Sequence, residues 1–297
     1  MRYSKYPSRV PLVTRRALID SAVARFRAAD VDSPRRTAEW LLEDLAGVSR
    51  ADLYARPDEL VTESAHRQLE ACIERRVAGE PLQYIVGHTE FYGLRIQVSP
   101  AVLIPRPETE EVVEAALATL EGVESPWVLD VGTGSGAIAL ATKAQCPDAE
   151  VFAADVSPAA LALARENAAS LDLDLTFVEA DALSPDFTHR VPPTFHLVVS
   201  NPPYVPQAEQ AEMQREVRDH EPDLALFVPD DDPLVFYRAL ARHACQILHP
   251  GGWLVVETHA DGGEAVGEVF ESHGLAEVEV LADLSGRQRM VRGHRPS

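Results

Sequence analysis

Lysine is nearly missing from this 297-residue chain: Lys5 and Lys143 stand alone, and arginine supplies the other 25 of the 27 basic residues. Acids outnumber bases, 47 against 27, so the formal net charge is −20. A body this acidic is repelled by phosphate backbones, which argues against direct nucleic-acid binding as the main business of the chain. Cysteine is scarce too. Cys72, Cys146 and Cys245 are odd in number and far apart, which suits neither a disulfide framework nor a zinc site. The histidines form no HExxH pattern and no tight cluster, so no metal is expected. No run approaches the ~18 consecutive apolar residues of a membrane-spanning helix, so no membrane partner is expected. Met1 to Arg16 carry charges without the apolar stretch of a secretory signal, and a cytoplasmic protein is expected.

What is present is enough to fold. Apolar residues make up 46% of the chain, and its length suits two domains. Residues 1–82 read as a small helical bundle. Leu18, Ile19, Val23 and Phe26 recur at helical spacing. Ser33 before Pro34 reads as an N-cap with proline at the first helical position, and Leu69, Ile73 and Val77 form one stripe of a helix over 62–78. Residues 83–104 turn β-rich, in Tyr84-Ile85-Val86, Phe91-Tyr92 and Leu94, Ile96 and Val98, with Gly87 and Gly93 between them. This reads as a β-hairpin linker. Residues 105–297 begin with a helix and then alternate strand and helix, with strands at 128–131, 150–155, 175–179, 195–200 and 253–257, and two more near 276–282 and 288–293. Such alternation means an α/β fold with a parallel, doubly wound sheet.

Asp130-Val-Gly132-Thr133-Gly134-Ser135-Gly136-Ala137 lies between the first of these strands and a helix. Glycines there let the backbone turn tightly and approach a ligand at the strand ends. Asp155 ends the next strand, where an acid can bind the hydroxyls of a ribose. Asp181, after the third strand, is placed to line the adenine side. The turn also satisfies the dinucleotide fingerprint, so an NAD enzyme and a turn without a ligand stand beside a methyltransferase. Asp130 at the turn's entrance suits the ammonium group of S-adenosylmethionine better than a pyrophosphate.

Asn201-Pro202-Pro203-Tyr204 follows the apolar strand Leu197-Val198-Val199-Ser200. It therefore sits at the same edge of the sheet as the glycine turn. An amide or aromatic NH2 is a poor nucleophile because its lone pair is delocalised. A catalyst must hold both N–H bonds and aim the lone pair at the incoming methyl group. The Asn201 side-chain oxygen can accept one hydrogen bond and the Pro202 carbonyl the other. Two consecutive prolines fix that carbonyl. The Tyr204 ring can stack on the flat acceptor.

At these residues the chain resembles the S-adenosylmethionine-dependent amino-methyltransferases. More closely, it is similar to the release-factor glutamine N5-methyltransferase family (HemK/PrmC family). The likeness runs from about residue 14 to about 293. It is carried by Gly79-Glu80-Pro81-Leu82-Gln83-Tyr84, Glu90-Phe91-Tyr92-Gly93-Leu94, Leu103-Ile104-Pro105-Arg106-Pro107-Glu108-Thr109-Glu110, the glycine turn, Asn201 to Tyr204, and Glu221-Pro222 with Ala225-Leu226. The resemblance implies a Rossmann-like class I methyltransferase domain after a helical domain that recognises substrate. The implied acceptor is the glutamine of the Gly-Gly-Gln motif in class I peptide release factors. It implies that Gly132 to Gly136, Asp155 and Ala182 hold S-adenosylmethionine. Asn201, Pro202, Pro203 and Tyr204 would bind the glutamine, with Asn201 near the cofactor as well. Phe91 reads as a lid on the cofactor or as hairpin packing. The acidic stretch 205–232 is expected to grip the release factor, whose basic surface would suit it; a solvated helix face bearing Glu209, Glu212 and Glu216 is the plainer reading.

Three other readings share parts of this pattern. A nucleic-acid adenine or cytosine amino-methyltransferase would share Asn-Pro-Pro-Tyr, but the charge is wrong and no basic, aromatic-interleaved segment is evident. An NAD-dependent oxidoreductase would share the glycine turn, but neither lysine follows a tyrosine by four residues. A cofactor-binding adaptor without activity has no need of Asn201 and its two prolines.

Overall fold

The computed structural model describes residues 13–297. Lys5 and most of the stretch read as lacking a leader lie outside the described residues. The chain divides into two compact units between Val86 and Gly87.

The first unit is helical: α1 (Arg15–Ala28), α2 (Pro34–Ala46), α3 (Arg50–Ala55), α4 (Glu63–Val77) and α5 (Leu82–Val86). Its core is built from Leu18, Phe26, Leu41, Leu42, Leu69 and Ile73, all essentially buried. Thr14 and Thr62 cap α1 and α4, each hydroxyl accepting a backbone N–H at 3.2 Å. The start of α2 at Ser33-Pro34 holds, and two sequence expectations fail here. Ser33 sits at the N-cap of α2 but in a left-handed conformation, φ 46°, and its side chain makes no cap hydrogen bond. Val77 is 39% exposed, because the buried stripe of α4 runs through Ala65, Leu69 and Ile73 and has left the core by the last turn. Tyr84-Ile85-Val86 is helical rather than extended. Pro81 opens a turn in which the Ile85 N–H donates to its carbonyl, and Leu82 and Ile85 join the helical core, so burial overrides β propensity.

The second unit begins with the hairpin strands β1 (His88–Phe91) and β2 (Leu94–Gln97). Tyr92 and Gly93 both have positive φ, 51° and 75°, so a tight two-residue turn joins the strands. Then come α6 (Glu108–Ala118), β3 (Trp127–Val131), α7 (Ala137–Gln145), β4 (Glu150–Asp155), α8 (Pro158–Leu171), β5 (Thr176–Glu179), α9 (Phe187–Arg190) and β6 (Phe195–Ser200). Two-residue strands β7 (Val205–Pro206) and β8 (Phe227–Val228) enclose α10 (Arg215–His220). After them follow α11 (Val235–Ile247), β9 (Leu248–Glu257), α12 (Gly263–Ser272), β10 (Ala276–Ala282) and β11 (Gln288–His294).

Seven strands form one sheet in the order β10-β11-β9-β6-β3-β4-β5. Only β11 runs against its neighbours in it. Leu129, Val131, Phe195, Val198 and Leu254 pack on one face with Phe187, Leu240 and Phe270 from α9, α11 and α12. Helices α7 and α8 contact β3, β4 and β5, and α6 contacts α7 and β9. The chain lays β3, β4 and β5 toward one edge, then places β6 on the other side of β3. Where strand order reverses in this way, the C-terminal strand ends open into a crevice. Among the described residues no helix is long and apolar enough to cross a membrane.

At Gly252, β9 crosses β6 so closely that an added Cβ would lie 2.9 Å from the Phe195 carbonyl oxygen and 3.0 Å from that of His249. Backbone atoms cannot rotate away. Gly252→Ala is therefore expected to destabilise the protein by about 1–3 kcal/mol, read as a lower midpoint in urea. An unchanged midpoint would contradict this packing.

Candidate functional site

The glycine turn leaves β3 at the reversal point. Gly132 and Thr133 both donate their N–H groups to the Ala154 carbonyl, at 2.8 and 3.0 Å, which ties the turn to the end of β4. Gly132 (φ 73°) and Gly134 (φ 54°) hold left-handed conformations, and a Cβ on either would meet nothing within 4 Å. Their open sides face a cavity of about 300 Å³. Gly136 differs: a Cβ there would lie 3.2 Å from Ala164 of α8, so this glycine serves helix packing.

The cavity gathers Gly132, Gly134, Asp155, Asp181, Ala182, Asn201 and Pro203 from the sequence reading. Val131, Val156, Leu183 and Phe236 give it apolar walls, and Leu103 and Leu224 come from the flanking loops. Asp155 accepts the N–H of Gly134 and that of Ser157, each at 2.8 Å. Burial pushes its carboxyl up, and these backbone donors hold it down. Asp181 is exposed and accepts the Leu183 N–H at 2.8 Å. The Ala182 carbonyl lies 3.0 Å from Nε2 of the buried His243. Burial lowers that histidine's pKa, which favours a neutral ring donating from Nε2.

Other candidates lie behind the surface. Asp130 is fully buried; its Oδ2 accepts from the Thr133 hydroxyl at 2.6 Å and from the Ala139 N–H at 3.2 Å. Among the described residues its Oδ1 has no partner. Burial lifts this carboxyl to about 7. Asp130 thus braces the turn from within, beneath the cavity wall. Ser135 is buried, and its carbonyl accepts from Asn167 Nδ2 at 2.9 Å. Phe91 is 1% exposed at the hairpin end and is not among the residues lining the cavity. Glu209 and Glu212 sit in a short 3-10 helix and Glu216 in α10, so they do not share one helix face.

Asn201 to Tyr204 leave β6 beside the turn, and the Ser200 hydroxyl donates to the Val131 carbonyl at 2.7 Å. Pro202 is buried. Tyr204 faces a neighbouring cavity with Tyr237, Thr258 and His259, and its hydroxyl lies 3.4 Å from Glu257 Oε1. Burial and the Glu257 charge raise the Tyr204 pKa, keeping the phenol protonated.

Several structuring residues escaped the sequence reading. Asn167, in the alanine-rich α8, is wholly buried; it accepts the Gln97 N–H at 2.7 Å and donates to the carbonyls of Gln97 and Ser135. It joins the hairpin to the glycine turn. Glu257, at the end of β9, accepts the Thr109 hydroxyl at 2.6 Å, and Asn201 Nδ2 donates to that hydroxyl at 3.2 Å. Burial pushes the Glu257 carboxyl to about 7. Arg106 pairs with the buried Glu221 at 2.6 Å, and Glu221 also accepts the Ile104 N–H at 3.2 Å. That pair folds the 205–232 segment back against the 103–106 loop. A position within an apolar run was the only available sign for Glu257, and Asn167 was visible merely as a polar residue in a helix.

Comparison with known proteins follows the same division of the chain. Residues 17–87 match the model of the PrmC N-terminal domain, and residues 111–219 match that of the methyltransferase small domain. The chain is similar to the release factor glutamine methyltransferase of Deinococcus radiodurans, with 43% identity over 94% of this chain and 98% of that protein. It is 41% identical to the release factor glutamine methyltransferase of Koribacter versatilis over 96% of this chain and 100% of that one. The solved structure of a methyltransferase from Pyrococcus furiosus shares the fold, with a TM-score of 0.50, 16% identity, and coverage of 78% of this chain and 100% of that one.

Asp130 generates a pH test. Its folded pKa is raised, so the folded state holds the proton more tightly than the unfolded chain. The stability this contributes is complete below the ordinary carboxyl range and is lost as pH rises toward about 7. Asp130→Asn removes that loss. Between acidic and neutral pH, the variant's unfolding free energy should gain on that of the unsubstituted protein. Parallel curves in urea titrations across this range would contradict the buried, proton-holding state.

Proposed function

Because the chain belongs to the release factor glutamine methyltransferase family, we propose that it transfers a methyl group from S-adenosylmethionine to the side-chain amide nitrogen (N5) of the glutamine in the Gly-Gly-Gln motif of class I peptide release factors. One observation carries this reading: Asn201 and the glycine turn line the same cavity at the strand-order reversal. The group able to hold a planar amide therefore adjoins the group able to cradle the cofactor.

The residues present fit S-adenosylmethionine. Asp155 faces the cavity with lone pairs beyond those its backbone donors use, as ribose hydroxyls require. Val156, Ala182 and Leu183 offer apolar walls to an adenine. When bound, the cofactor supplies an electrophilic methyl group on a cationic sulfur.

The chain's own part is positioning. The Asn201 oxygen accepts one N–H of the glutamine amide, and the Pro202 carbonyl accepts the other. The prolines hold that carbonyl still, and orientation does most of the work. Tyr204 stays protonated, so it does not take the amide's proton. Methylated nitrogen is acidic and releases its proton without a strong base. The acidic body of the chain, at −20, suits a partner with basic surface.

With radiolabelled S-adenosylmethionine, label should enter a class I release factor rather than DNA or RNA offered alongside. Asn201→Ala should lower the transfer rate at least ~100-fold, as loss of one placed polar group in a desolvated site does. Label in the nucleic acid would move the acceptor to a nucleobase amine, and full activity in the variant would remove Asn201 from its role.

A further inference from the structure

We propose that Thr109 and Glu257 are positioning residues that determine which way the Asn201 side-chain amide faces. This deepens the reading above and rests on it for the identity of the acceptor. An asparagine amide can be turned over with almost no change in shape, exchanging a donor for an acceptor. Asn201 can hold a substrate N–H only with its oxygen toward the cavity. Something must therefore fix the flip.

The geometry supplies it. The Thr109 hydroxyl has one proton, and Glu257 Oε2 lies 2.6 Å from its oxygen. At pH 8, above the value of about 7 to which burial lifts it, Glu257 is ionised, accepts and cannot donate, so the hydroxyl proton goes to Glu257. The threonine oxygen then offers only lone pairs on its other side. The Asn201 atom 3.2 Å away must be the donor, Nδ2. Oδ1 is thereby turned from Thr109 and left for the substrate amide. With the opposite flip, two NH2 groups would face each other across the site.

Glu257 is placed to act this way. It is 2% exposed, and its backbone carbonyl accepts the Tyr237 hydroxyl at 3.2 Å. Its second carboxylate oxygen lies 3.4 Å from the Tyr204 hydroxyl, so one carboxylate touches Tyr204 directly and Asn201 through Thr109. Thr109 stands in the first turn of α6, and Asn201 is 92 residues away in sequence. Neither residue is among those lining the cavity, so neither is expected to touch substrate.

The test compares Thr109→Val, which keeps the shape and loses the hydroxyl, with Thr109→Ser, which keeps the hydroxyl and loses the methyl. Single-turnover methyl transfer to a release factor is measured at pH 8, with S-adenosylmethionine affinity by calorimetry and melting temperature alongside. Valine should slow transfer about 10- to 100-fold, the range of one lost buried hydrogen bond, while cofactor affinity changes less than about 3-fold. Serine should restore the rate to within about 3-fold of the parent. Should the valine protein not fold, Thr109→Ala takes its place. A valine or alanine protein as fast as the parent would overturn the proposal, as would a serine protein as slow as valine. The side-chain NH2 signals of Asn201, read by nuclear magnetic resonance, test the flip apart from activity. A protected, hydrogen-bonded proton is expected in the parent and in the serine protein and is lost with valine; identical signals in parent and valine proteins would overturn the proposal. A parent protein with that protected proton but no transfer to release factor would overturn the proposed reaction and leave the flip standing.

Discussion

The ends of β3 and β6 lie side by side, and the rest of the site depends on that adjacency. The chain runs β3, β4 and β5 outward, then returns to pair β6 with the free side of β3. Two turns of different chemistry therefore leave the sheet next to each other. One is rich in glycine and opens its backbone to a ligand. The other is stiffened by two prolines and presents a side-chain amide. The Ser200 hydroxyl, bonded to the Val131 carbonyl at 2.7 Å, stitches the two strand ends where they part.

A single short segment then holds the loops around that crevice. Between residues 104 and 111, Ile104 and Arg106 bind Glu221 of the long loop, and Thr109 binds Glu257 at the end of β9. Glu110 accepts the N–H of Tyr92 at the hairpin turn, at 2.7 Å, and Glu111 accepts that of Leu284 at 2.9 Å. Arg106, Thr109, Glu110 and Glu111 each reach a different part of the chain. Tyr92 sits at positive φ, where a large side chain is strained, and the Glu110 bond helps hold it there. The Glu90-Phe91-Tyr92-Gly93-Leu94 and Ile104-Pro-Arg-Pro-Glu-Thr-Glu110 segments are thus joined, one gripping the other.

Much of this was legible in the sequence, and the illegible part has a common cause. Strand and helix alternation, the glycine turn, Asp155 and Asn201 could be read because each follows from local spacing. Ser157 caps α8 just after β4, its hydroxyl accepting the Ala160 N–H at 3.2 Å. The helix at 82–86 was misread because its residues favour strands in isolation, and only burial in the helical core decides otherwise. Glu257 and Thr109 are separated by 148 residues, and Asn167 and Gln97 by 70, so no periodicity connects them. The sequence marked the segment around Thr109 through resemblance and was silent on what it does. Its task becomes visible only when partners distant in the chain are brought within hydrogen-bond range.

On this reading the crevice methylates a planar side-chain amide. Tandem mass spectrometry of a class I release factor, after incubation with the protein and S-adenosylmethionine, tests it most directly. A mass gain of one CH2 unit is expected on the peptide containing Gly-Gly-Gln, with fragment ions placing it on the glutamine side chain. A gain elsewhere in the release factor, or none while the cofactor is consumed on another acceptor, would contradict it.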